Sequence, residues 1–164
     1  MNADPPLLVR REPGPPPPGS PTLMLALAAE ERTRLRGLRH SRCGAPLLLQ
    51  LPRERPLQPG EWLTTAAEEP PVWVQVAAAP EPLLAVRSAD PLALLQAAYH
   101  LGNRHVALEI RPGELRLLRD PVLADLLQHR ALAVEEIEAP FRPESGAYGG
   151  HPAHSHGEGG HGHG

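Results

Sequence analysis

The sequence predicts an α+β protein in which a small N-terminal β-rich unit precedes a βαββαβ unit and a polar tail closes the chain. Three observations carry this. Residues 21–77 hold short apolar runs punctuated by Pro and Gly, the grammar of short strands and turns. Across residues 78–142 strand-like runs alternate with capped apolar patterns of helical length. Residues 143–164 are mostly Gly, His, Ser, Pro and Glu. Such a segment buries too little apolar surface to offset its chain entropy and is expected to be flexible.

Each element follows from local chemistry. Residues 1–20 are Pro-rich and aperiodic, and are expected to be a disordered lead. The β-rich unit then offers apolar runs at 23–27, 46–52 and 72–76, separated by an Arg-rich stretch at 32–42 and a Pro59-Gly60 turn signal. In the second unit, 83–86 read as a strand. Asp90 is placed to cap a helix with Pro91 at its first position. Leu92, Leu95, Ala98 and Tyr99 then recur at helical spacing up to Gly102, a plausible stop. Residues 105–110 alternate, with Val106, Leu108 and Ile110 on one face and His105, Ala107 and Glu109 on the other. Pro112-Gly113 is a turn and 115–117 a strand. Asp120-Pro121 opens a second helix carrying Val122, Leu123, Leu126 and Leu127, and 131–137 form the last strand. This order is the ferredoxin-like split unit.

Composition narrows the function. Of 164 residues, 41% are hydrophobic but only 3% aromatic, so Leu, Ala and Val must build the core. All 16 basic residues are Arg, beside 22 Pro and 15 Gly. That pattern fits GC-rich coding, so single Pro and Ala residues carry little structural meaning. No basic stripe interleaves with aromatics, which argues against nucleic acid. No stretch reaches the ~18 apolar residues of a membrane span. Arg10-Arg11 before the apolar residues 23–29 resembles a signal peptide, but the run is short and Pro13 and Pro15 to Pro18 interrupt its approach. Cys43 is the sole cysteine. One thiol forms no internal disulfide, which fits a reducing, cytoplasmic setting.

The chemistry concentrates in histidines. The tail carries His151, His154, His156, His161 and His163. On a flexible chain these spacings let several imidazoles converge on one divalent late transition metal. They are scattered among Gly, Ser and Glu, unlike the uninterrupted run of an expression tag. A second candidate is His100 to His105, where the first helix passes into a strand. Spacing alone favours a plain surface role for both. One outward His holds a metal poorly. A two-fold axis that brought the same residue from a partner chain would change that.

These residues carry a resemblance. Ala98-Tyr99-His100-Leu101-Gly102-Asn103-Arg104-His105-Val106 resembles the signature of the UreE family of urease accessory nickel carriers. Pro112-Gly113-Glu114-Leu115-Arg116, Asp120-Pro121-Val122-Leu123 and the segment 140–150 continue it in order. The resemblance is specific over 79–150 and diffuse over 22–75. It implies an N-terminal β domain that contacts protein partners, a ferredoxin-like metal-binding domain, and a homodimer with Ni²⁺ at the subunit interface. His105 matches the family's interface ligand, and His100 a nearby His. It also implies delivery to apo-urease through the accessory GTPase of the system. Where many members have a His after the helix-opening Asp, this chain has Pro121. Leu117, Leu118 and Arg119 replace others, so a secondary site built from those His is expected to be absent. The usual Leu-Gly after the second helix is altered at His129-Arg130-Ala131.

Two other classes share some of these features. A general His-rich storage or buffering protein would share the tail but need no partner surface on the β domain. A metalloenzyme would need an open coordination position and a nearby acid or base, and Glu109 is the sole candidate beside His105. Zn²⁺ and Cu²⁺ are expected to bind in vitro, since Cu²⁺ outranks Ni²⁺ on such ligands.

Overall fold

The computed structural model describes residues 4–145. Two hydrophobic cores divide them. The first gathers Leu8, Leu25, Leu27, Leu47, Leu49, Leu63, Val74 and Val76, among others. It is enclosed by two sheets. One has the order β1-β5-β4, from β1 (Leu7–Leu8), β4 (Arg36–His40) and β5 (Pro46–Gln50). The other has the order β2-β6-β7-β3, from β2 (Arg10–Glu12), β3 (Thr22–Leu27), β6 (Trp62–Thr64) and β7 (Trp73–Ala78). Leu25, Leu27, Val74 and Val76 alternate inward along β3 and β7, as period-two burial requires.

The expected disordered lead is corrected here for residues 4–20. Leu7–Leu8 pairs in parallel with Leu48–Leu49, Arg10–Glu12 pairs antiparallel with Trp62–Thr64, and Leu8 is fully buried. Strands of two and three residues show no periodicity, and the flanking Pro residues hide them.

The second unit runs β8 (Pro80–Arg87), α1 (Pro91–Gly102), β9 (Glu109–Arg111), β10 (Glu114–Leu118), α2 (Pro121–His129) and β11 (Ala133–Pro140). Its sheet is fully antiparallel in the order β11-β8-β10-β9, the ferredoxin-like arrangement expected. Leu84, Val86, Leu115 and Leu117 meet Leu94, Ala97, Leu101 and Leu127 from the helices in the second core. Both caps form: the Asp90 carboxylate accepts from the Leu92 N–H at 3.0 Å, and that of Asp120 from Val122 and Leu123 at 2.8 and 3.0 Å.

Two boundaries differ from expectation. The strand anticipated from His105 begins only at Glu109. The last strand begins at Ala133, because Ala131 and Leu132 close α2 instead. The two units are joined beyond the β7–β8 connection. The buried guanidinium of Arg32, near the start of the chain, donates to the Leu27 carbonyl at 3.0 Å and to the Phe141 carbonyl at 2.6 Å.

Candidate metal centre

His105 lies in the turn that ends α1, not on a strand. The Val106 N–H donates to the Leu101 carbonyl (3.1 Å) and the His105 N–H to that of Gly102 (2.9 Å). This is the Schellman pattern, with His105 at the left-handed position where glycine is usual. Its φ is 57°. Left-handed backbone costs a residue with a Cβ about 1–2 kcal/mol, and this one is held there by two hydrogen bonds and by Val106 packing on the core that contains Leu101. The turn leaves the imidazole exposed. The expectation that His105 projects outward therefore holds in outcome, but through a helix stop and not through strand alternation. Ile110, expected to share the core face, is 55% exposed because β9 is an edge strand.

His100 sits one turn earlier, half-buried, its ring edge-on to Tyr99 at 5.5 Å between centroids. Its carbonyl accepts from the Arg104 guanidinium at 3.1 Å. The two histidines thus belong to one helix end. His151, His154, His156, His161 and His163 lie outside the described residues. Among the described residues no three of His, Cys, Asp and Glu come together within one protomer. A metal on His105 would have to draw further ligands from a partner chain, the tail or water.

The helix periodicity marks a second feature. Leu94, Ala97 and Leu101 turn into the core, whereas Leu92, Leu95 and Tyr99 are 58%, 68% and 67% exposed. The anticipated stripe of Leu92, Leu95 and Tyr99 is thus the outward one. Ile110 stands on the helix-covered face of the sheet, paired with Leu115, and extends the apolar surface at that edge. Such a row at i, i+3 and i+7 leads along α1 towards its C-terminal end, where His105 sits. Isolated exposed apolar residues need no explanation, but an ordered row does.

Glu109 is the candidate acid or base beside His105. It is engaged: one carboxylate oxygen accepts from the Arg142 N–H at 2.9 Å and the other lies 3.9 Å from the Arg111 guanidinium. The bond to Arg142 spans 33 residues, and no local sequence signal announces it.

The described residues thus set an exposed imidazole on a constrained turn at the end of a helix whose outward row is apolar. Comparison with known proteins makes this specific. Residues 81–164 match the family model described as UreE urease accessory protein, C-terminal domain. The chain is 60% identical over 134 residues to the urease accessory protein UreE of Synechococcus sp. (strain WH7805), covering 81% of this chain and 75% of the relative. It is 54% identical over 129 residues to that of Parasynechococcus marenigrum (strain WH8102), covering 79% and 85%. With that of Burkholderia orbicola (strain AU 1054) it shares 47% over 137 residues, covering 84% and 65%. The chain belongs to the UreE family of urease accessory proteins, a family of assembly factors and not of enzymes.

Proposed function

We propose that this chain carries Ni²⁺ for urease assembly as a cytoplasmic homodimer, and hands it to apo-urease through the accessory GTPase of the same system. The observation that supports it most is the placement of His105: exposed, fixed in a left-handed turn, at the end of a helix whose outward row is Leu92, Leu95 and Tyr99. Burying that row against its own copy about a two-fold axis would bring two such helix ends together. His105 of each protomer then supplies one neutral imidazole, with His100 close behind it. The tail residues His151, His154, His156, His161 and His163, or water, complete the coordination sphere.

The donor set suits the task. Imidazole and water bind Ni²⁺ without the soft thiolates that favour copper(I) and zinc. Few strong ligands from one chain, and several weak ones from the tail, leave routes for exchange, as a donor requires. Ni²⁺ here is cargo, and the protein's part is to hold, orient and release it.

The test is genetic and chemical together. Cells lacking this protein, grown at limiting nickel, are expected to hold urease of low activity and low nickel content. The intact chain restores both, and His105→Gly does not. A protein that merely stores metal would change total cellular nickel and leave the urease loading unaffected.

A further inference from the structure

We infer that the cleft between the two units is a binding site for a small organic anion, whose oxyanion head is held by Arg32 and Arg142. The inference goes beyond the carrier role and does not depend on it.

The cleft measures about 430 Å³ and takes its lining from both units, with Arg32, Pro56 and Leu57 on one side and Arg142, Pro143 and Glu144 on the other. That volume suits a small molecule better than a bare ion. Charge indicates which kind. A buried cation is normally paired with an opposite charge. Arg32 is 5% exposed, yet it makes no ion pair among the described residues. Its bonds to the Leu27 and Phe141 carbonyls go to neutral acceptors. They use two of the five N–H groups that a guanidinium carries.

The surroundings leave that charge under-compensated. Burial pushes the Arg32 guanidinium below its usual value, Glu81 opposes this, and the like charge of Arg142 adds to it. One oxygen of Glu81 is already taken by the Ala29 N–H at 2.9 Å. Arg142 is exposed, and its backbone is held at the cleft by the 2.9 Å bond from its N–H to Glu109. Two other charged residues on the cleft are engaged elsewhere: Glu54 lies 4.0 Å from Arg11, and Arg55 pairs with Glu61. Glu144 is the one lining carboxylate outside any ion pair among the described residues. Two cations from different units thus share one cleft. An oxyanion between them would remove their repulsion, and the guanidinium fork matches carboxylate or phosphate oxygens. Pro56 and Pro143 offer apolar surface for the body of the ligand.

The probes are benzoate, phenyl phosphate and inorganic phosphate. Each is titrated calorimetrically into the metal-free full chain at constant ionic strength, with chloride as the reference anion. Benzoate or phenyl phosphate is expected to bind saturably, once per chain, and the preference between them shows whether the head is a carboxylate or a phosphate. Inorganic phosphate, which lacks an apolar body, is expected to bind more weakly than phenyl phosphate. Arg142→Gln, at an exposed position where the fold tolerates change, is expected to weaken binding roughly 10-fold or more. Glu144→Gln removes the opposing carboxylate and is expected to tighten it about 2- to 5-fold. Both variants are checked for unchanged circular dichroism. Absence of saturable binding by either organic anion overturns the site, as does binding that Arg142→Gln leaves unchanged. Inorganic phosphate binding as tightly as phenyl phosphate overturns the organic ligand.

Discussion

His105 and Ala131 occupy the same backbone position at the ends of their helices, left-handed with φ of 57° and 58°. The Leu132 N–H donates to the Leu127 carbonyl and the Ala131 N–H to that of Gln128, so α2 ends in the same pattern as α1. Glycine takes this conformation without steric cost. Ala131→Gly is therefore expected to stabilise the protein by roughly 0.5–1 kcal/mol, the relieved strain exceeding the extra unfolded-chain entropy. A thermal melt checks it, with a rise of about 1–4 °C. Nothing suggests that Ala131 has a task that excludes glycine. At His105 the strain is retained with the imidazole that the proposed function uses as a ligand, as functional positions often do. His105→Gly is thus a cleaner variant than His105→Ala: it deletes the imidazole while easing the turn. The sequence placed the end of the helix at Gly102, where α1 does end, but the left-handed residue of the stop is His105 and not a glycine. Only the backbone bonds from Val106 and His105 show where the chain reverses.

At the scale of elements, the helices were legible because their starts are decided locally. Asp90-Pro91 and Asp120-Pro121 each pair a capping carboxylate with a proline whose missing N–H costs nothing there. What periodicity could not tell was which face of α1 turns inward. The helix is apolar on both sides, and the Leu92, Leu95 and Tyr99 row reads as well for a core as for a partner. If that row is covered by a second copy, Leu95→Asp should shift the chain towards monomer in sedimentation while the monomer keeps its helical circular dichroism. A variant that stays dimeric would move the interface elsewhere. The sheet holds a charged cluster on its other side. Burial pushes the Glu114 carboxyl up, but hydrogen bonds from Arg116 and Arg87 outweigh this and hold it below its ordinary value. A carboxyl lowered in the fold contributes stability above its unfolded value, about pH 4.3, and loses it as pH falls through the lower folded value. Glu114→Gln is therefore expected to cost stability at neutral pH and to narrow the gap to wild type as pH falls below about 4.3, followed by thermal melts at decreasing pH.

For the whole molecule, the α+β class and the strand order of the second unit could be read from sequence, whereas its long-range ties could not. Arg32 reaches the Phe141 carbonyl across 109 residues, and Arg142 reaches Glu109 across 33. Contacts of that separation leave no periodic trace. The lead was misjudged for a related reason, since Leu7 and Leu8 pair with Leu48 and Leu49 of β5, about forty residues away in sequence. The proposed metal ligands were legible as chemistry and not as geometry: imidazoles suggest metal, but among the described residues no group of them comes together within one protomer. Removing residues 151–164 is expected to lower the number of Ni²⁺ ions bound per dimer while leaving the melting temperature within a degree or so, since the tail offers almost nothing apolar to pack. Loss of all binding on that truncation would mean that the helix-end site does not stand alone.

The claim on which the account turns is that His105 from two protomers anchors one Ni²⁺. It is tested most directly by calorimetric titration of the chain lacking residues 151–164, with His105 intact and as His105→Gly, each checked for folding by circular dichroism. The account predicts one Ni²⁺ per dimer for the first protein and none for the second, both fully folded. Equal nickel binding by the two proteins would contradict it, and would leave the tail as the metal-binding element of a storage protein.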